Sequence, residues 1–156
     1  AAMFLLAQID CHENDKALRC FYSKWNHDQL VINSWFTCQA ASKIPGALDR
    51  VKRLVKDACF DITNPNKIAS LFTTLAGNLV QFHDKSGEVY AYIAQKILEI
   101  DRFNPSVASR LALVFKKYNK LNPRSKMLIK GEIDKLLADE KLSNNSRDHL
   151  EKIISK

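Results

Sequence analysis

The chain has 156 residues with a formal net charge of +7. It is 46% hydrophobic and holds only four glycines and four prolines. That length suits one domain able to bury its own core, and the composition excludes a disordered chain. The longest stretch without a formal charge, residues 68–83, is too short to span a bilayer and carries Gly77 and Asn78 in its second half, which excludes a membrane protein.

Apolar spacing is helical nearly throughout, and no stretch alternates long enough to predict a sheet. Residues 1–9 are apolar without a basic n-region, so they do not read as a signal peptide. Met3 to Ile9 is expected to be the tail of a helix entered partway, which makes the chain a piece of something larger. Glu13 to Trp25 is a second helix, with Ala17, Leu18, Phe21 and Trp25 on one side. Asp28 caps a third, running to about Ala41. Its Val31, Ile32, Trp35, Phe36 and Cys38 spread over several sides, as in a helix enclosed by neighbours. Lys43-Ile44-Pro45-Gly46 breaks the pattern.

The next helix points Leu48, Val51, Leu54, Val55 and Ala58 inward. Asn64-Pro65 opens another, with Ile68, Leu71, Phe72 and Leu75 inward and Gly77 as its C-terminal stop. After the loop at residues 83–87, Val89 to Phe103 is helical through Tyr90, Ile93, Ala94, Ile97 and Leu98. Asn104-Pro105 caps a helix with the stripe Val107, Leu111, Val114, Phe115, Tyr118. Asn122-Pro123 opens a helix holding Met127, Ile129, Ile133, Leu136 and Leu137. Ser143 caps the last, which ends in Leu150, Ile153 and Ile154.

All four prolines lie at or just before a helix start, and Asn64 and Asn104 are 40 residues apart. A period of that size suggests helical pairs that stack because one pair cannot bury its own apolar side. The expected fold is all-α: a superhelical stack of antiparallel helix pairs, an α-solenoid of HEAT or armadillo type, forming one domain over residues 1–156.

Visible chemistry is sparse. His12-Glu13 begins like the zinc signature H-E-x-x-H, but Lys16 stands at the fifth position and cannot ligate. His27, His83 and His149 have no partner at i+4 able to hold a metal. No nucleophile elbow and no phosphate-cradling glycine loop is present. Cys11, Cys20, Cys38 and Cys59 lack C-x-x-C spacing and each falls in an apolar run, as expected of buried, reduced thiols in a cytoplasmic protein. Basic residues are spread over the chain, with local groups at Arg50-Lys52-Arg53-Lys56 and Lys116-Lys117-Lys120. Acids such as Asp49, Asp57, Glu132 and Asp134 are interleaved, which reads as solvated helix faces.

Arg110 is the candidate functional residue. It flanks the apolar stripe of its helix, with Ser106 one turn earlier on the same side. On helix geometry alone two readings stay open. Arg110 pairs with a neighbouring acid, the commoner arrangement, or its head reaches into a cavity.

Several blocks resemble, in order, the C-terminal helical domain of bacterial aminopeptidase N, a family of zinc metalloproteases. They are Phe21-Tyr22-Ser23-Lys24-Trp25, Leu30-Val31, Trp35-Phe36-Thr37-Cys38-Gln39-Ala40, the run from Phe60 to Ile68, the run from Asn104 to Leu111, and the tail at Leu142-Ser143 and Glu151-Lys152-Ile153. The resemblance covers essentially the whole chain, and the N-P-x-V-A-S-R-L block is its most specific part.

The resemblance implies a division of labour. Zinc, its ligands and the substrate-binding G-A-M-E-N motif belong to an upstream catalytic domain of the same polypeptide. This chain binds no cofactor and is inactive alone. It covers the active site and controls access of peptide substrates. Arg110 matches the arginine that the family directs toward the cavity. Ser106 stands where glutamine is usual, which shortens any reach to a ligand, and Lys67 and Ala69 stand where arginines are common. Trp25, Trp35 and Phe36 match too and are expected in the core. Two other readings remain: a free-standing helical-repeat interaction module, and a basic nucleic-acid-binding repeat with Arg50, Arg53, Lys116 and Lys117 on one face.

Overall fold

In the computed structural model, residues 2–155 are described. Among them every regular element is helical and there is no strand. No helix among them is long and apolar enough to cross a membrane. The chain divides into two compact units, residues 1–81 and 82–156.

The first unit opens with α1 (Ala2–Leu6) and α2 (His12–Trp25). Next come α3 (Val31–Ala40) and α4 (Ala47–Leu54). A continuous rod follows: α5 (Pro65–Ile68), a π-helical turn (Ala69–Thr73) and α6 (Thr74–Gly77). The short α7 (Leu79–Phe82) follows, its last residue belonging to the second unit. Helix α3 is the hub, touching α2, α4 and the whole rod. It is enclosed as its many-sided apolar pattern requires, with Ile32, Phe36 and Ala40 fully buried.

Asp28 does cap this helix. Its Oδ1 accepts from the backbone N–H groups of Leu30 and Val31 at 2.9 and 3.0 Å. Those bonds favour the ionised form and hold the carboxyl below its ordinary range. An aromatic chain threads the unit: Tyr22 to Trp35, Trp35 to Phe36, Phe36 to Phe60 and Phe60 to Phe72, with ring centroids 4.8–5.9 Å apart. The Trp35 indole donates to the Leu18 carbonyl at 2.9 Å, so its polar end is satisfied. The expected core aromatics Trp35 and Phe36 are buried, and Trp25 is half-buried.

The second unit holds α8 (Glu88–Asp101), α9 (Pro105–Ala112) and a 3-10 segment (Leu113–Lys120). It ends with α10 (Pro123–Leu137) and α11 (Asn144–Ile154). Helix α9 packs against both α8 and α11. Tyr90, Ile93, Ile97, Ala108, Phe115, Ile129, Ile133 and Leu150 form the core. Gly87 starts α8 at φ +74, a backbone sign that favours glycine, and a Cβ there would also crowd a Leu128 methyl at 3.0 Å. Asp101, nearly buried at the end of α8, accepts from Ser143 N–H, Ser143 Oγ and Ser146 Oγ at 2.6–2.7 Å. It thereby anchors the start of α11, a favourable place for an anion.

Cross-chain polar ties keep a common separation. In the first unit Asn78 donates to Ser42 O, 36 residues away, and Lys67 to Gln29 O, 38 away. In the second, Arg124 donates to Lys85 O, 39 away, and Arg102 to Asp139, 37 away. A recurring offset near 40 is what stacked helical repeats of this size produce.

Several expectations are corrected. Helix α4 ends at Leu54, so Ala58 lies beyond it and is exposed rather than inward. Gly77 is the last helical residue and has no positive φ. The following Asn78 stops the rod instead, its amide turned onto the Ala40 and Ser42 carbonyls. Met127 points to solvent, 68% exposed, because the inner side of α10 is filled by Ile129, Ile133 and Leu136. All four cysteines are free, but only Cys38 is buried. Cys20 is exposed on the outer side of α2, a helix with no fully buried residue.

Candidate cation-bearing face

Arg110 is positioned by the cap that starts its helix. The Asn104 side chain accepts from Val107 N–H at 3.2 Å, and Pro105 occupies the first helical position, where no N–H is needed. Val107, Ala108, Leu111 and Ala112 are buried, and Ser109 Oγ turns back onto the Ser106 carbonyl at 3.0 Å. Ser106 and Arg110 are the exposed residues of α9, one turn apart on the same side.

Past Ala112 the chain tightens into the 3-10 segment. Residues three apart eclipse one another there, at about 120° per residue instead of about 100°. Phe115, 1% exposed, and the half-buried Tyr118 therefore share the inner side. Lys117 and Lys120 share an outer ridge, and Lys116 lies on the other outer flank. At those angular steps Arg110 falls between the two ridges. The result is one exposed face carrying Ser106, Arg110, Lys116, Lys117 and Lys120. The reading of residues 113–120 as continued α-helix is corrected here. The tighter winding is what brings Lys117 and Lys120 into line.

Among the described residues no acid pairs with Arg110, and the same holds for Lys116, Lys117 and Lys120. The ion pairs present are Arg102–Asp139, Lys130–Asp134, Lys135–Glu132, Lys96–Glu99 and Lys52–Asp49. Nearby, Lys126 lies over the Tyr118 ring at 6.0 Å, and Arg124 donates to Lys85 O at 3.0 Å. His83 hydrogen-bonds Tyr90 Oη through Nδ1 at 2.6 Å. Burial, and then the charge of Lys117, hold the His83 imidazole below its ordinary pKa.

The cations of the first unit are used differently. Lys67 is fully buried, with Nζ 5.3 Å from the centre of the Phe36 ring and 3.4 Å from the Gln29 carbonyl that accepts from it. Its burial pushes the ammonium pKa down. Ala69 is exposed at the start of the π turn. Arg50 spends its two terminal nitrogens on the Ile44 and Pro45 carbonyls. Tyr22 Oη donates to Asp57 at 2.9 Å and lies 3.4 Å from Cys59 Sγ, contacts that raise its pKa, Cys59 foremost.

His12 and Glu13 have no third partner. Among the described residues no three His, Cys, Asp or Glu side chains gather as a metal site. The chemistry of the face is electrostatic: fixed, hydrated cations able to hold carboxylates or carbonyl oxygens. Sequence periodicity located Arg110 and Ser106 but not their continuity with Lys117 and Lys120. The aromatic pair Phe115 and Tyr118 at a spacing of three was the available signal.

A family profile described as "Domain of unknown function (DUF3458_C) ARM repeats" matches residues 1–155. The aminopeptidase N of Caulobacter vibrioides is 36% identical over 132 residues, covering 84% of this chain and 15% of that protein. The aminopeptidase N of Escherichia coli K12 is 28% identical over 150 residues, covering 96% of this chain and 17% of that protein. The crystal structure of Legionella pneumophila aminopeptidase A in complex with aspartic acid superposes with a TM-score of 0.92 at 30% identity. It covers 99% of this chain and 18% of that one. The chain thus spans less than a fifth of the length of these relatives. ARM repeats are helical pairs, so the α-solenoid class read from the sequence agrees with the family. The chain belongs to the DUF3458_C family of ARM-repeat domains, the C-terminal helical domain of bacterial aminopeptidase N.

Proposed function

We propose that this chain is the non-catalytic C-terminal part of a cytoplasmic zinc aminopeptidase that removes N-terminal residues from peptides. It covers the active site and controls peptide access. Zinc and its ligands reside in the upstream catalytic domain of the same polypeptide, which is the chain's partner. Residues 1–156 act as one domain, a reading supported by a single family profile running through both compact units. Four free cysteines suit a reducing compartment.

One observation carries the role of the site. Arg110 stands on an exposed face with no acid partner among the described residues, in a chain whose relatives are aminopeptidases. A guanidinium so placed offers a fork of donors to a peptide carbonyl or a C-terminal carboxylate. Ser106, with its short side chain, leaves that contact to Arg110.

The test is Arg110→Ala in the full-length enzyme. A charge-assisted hydrogen bond contributes about 1.5–3 kcal/mol, so kcat/KM for a tripeptide should fall by about tenfold or more. Turnover of a small aminoacyl amide lacking a C-terminal carboxylate should fall much less. Equal losses on both substrates overturn the role of Arg110.

A further inference from the structure

The positive charge of this protein is concentrated in one segment. Residues 102–131 hold eight of the 24 Lys and Arg residues and none of the 17 Asp and Glu residues, so the remainder of the chain is net −1. Acids are therefore not interleaved here as they are elsewhere. Two of the eight, Arg102 and Lys130, are neutralised by Asp139 and Asp134. Arg110, Lys116, Lys117 and Lys120 are exposed on one face of the rod formed by α9 and the 3-10 segment.

With rises of 1.5 and 2.0 Å per residue, Arg110 and Lys120 are on the order of 18 Å apart along the axis. An extended peptide of about five residues has the same length. At physiological salt, charges interact over about 8 Å, so Lys116, Lys117 and Lys120 act as one field, while Arg110 lies about 10 Å from it along the axis.

We propose that this row guides anionic peptides, those with Asp or Glu after the residue to be removed, along the surface toward Arg110. The proposal rests on the aminopeptidase reading and names the substrate class that the face favours. Acidic side chains are drawn by Lys116, Lys117 and Lys120, which sit too far from Arg110 to share its carboxylate contact and so act on capture. A single-stranded nucleic acid would want exposed aromatics between its cations to stack bases. Here Phe115 is buried and Tyr118 half-buried, and the exposed Phe103 lies before the row rather than between its cations, so peptide carboxylates fit better.

The experiment uses the full-length enzyme and two pentapeptides with identical first and second residues. One carries Glu at positions three and four, the other Gln. At about 20 mM salt the ratio of their kcat/KM values should favour the Glu peptide by about tenfold, and it should fall toward one near 500 mM. Lys116→Gln, Lys117→Gln and Lys120→Gln together should bring the low-salt ratio close to one. A surface control, Lys141→Gln with Lys152→Gln, should keep it. A ratio cancels losses of active protein, so a poorly folding variant still reports. The proposal is overturned by a low-salt ratio near one, or by a ratio that the triple variant preserves. It is also overturned if dT20 binds the wild-type protein in a steeply salt-dependent manner that the triple variant loses. Absence of cleavage of both peptides, by contrast, rejects the underlying aminopeptidase reading.

Discussion

The two Asn-Pro helices, 40 residues apart, start alike and end differently. Asn64 accepts from Asn66 N–H at 2.9 Å and Asn104 from Val107 N–H at 3.2 Å, each with proline at the first helical position. Beyond the cap, the first rod loosens into a π turn and the second tightens into a 3-10 segment. The first buries its early cation, Lys67, against Phe36. The second shows its cations to solvent. The same local start thus serves packing in one unit and display in the other. The difference lies in what each rod must fit against, since helix type past a cap is decided by neighbours more than by the cap.

That contrast can be broken first at Lys67. Lys67→Ala removes a fully buried stem and leaves a cavity, and the expected loss is about 2 kcal/mol in urea unfolding, tempered by relief of a buried ammonium. Lys67→Met, which keeps volume and drops the charge, should recover that loss. If Lys67→Ala costs nothing, the cation is not packed as described.

Next come the caps. Asn64→Ala and Asn104→Ala should each cost about 1 kcal/mol or less, measured the same way: the first leaves Asn66 N–H without its acceptor, and the second leaves Val107 N–H only the Asn104 carbonyl at 3.1 Å. A large inequality between them would show that the two starts are not equivalent. Arg110→Ala should change stability by less than about 0.5 kcal/mol, since the residue is exposed. A greater loss would place it in packing rather than display.

The smallest effect is electrostatic. Lys117→Gln should raise the His83 pKa toward 6.5, read by NMR titration of the imidazole, because one of the two causes depressing it is removed. The sign of the linkage follows. A histidine depressed in the folded state contributes stability that is complete above 6.5 and lost as pH falls through the folded value. Acid sensitivity should therefore be milder in Lys117→Gln than in wild type.

Much of this was legible beforehand. Asn-Pro pairs, Ser143 and Asp28 announced helix starts because capping is local chemistry between a side chain and the next few backbone groups. The apolar period announced which faces turn inward, and Ile68, Leu71, Phe72, Leu111 and Ile133 are buried accordingly. The same count put Ser106 and Arg110 one turn apart on the same side, and both are exposed. Met127 and Ala58 were misplaced because periodicity says nothing about where a helix stops or how many neighbours cover it. Cys20 failed similarly: an apolar neighbourhood in sequence did not become an enclosed one.

Sequence alone therefore determined the helical class, the capped starts, the repeat spacing and the shared side of Ser106 and Arg110, all consequences of contacts between residues a few positions apart. Only the tertiary structure decided that Lys67 is buried, that Asn78 stops its rod through carbonyls about 36 residues away, and that residues 113–120 wind tightly enough to align Lys117 with Lys120. Those outcomes depend on the space left by neighbouring helices, and that space is set by every element at once rather than by any local stretch.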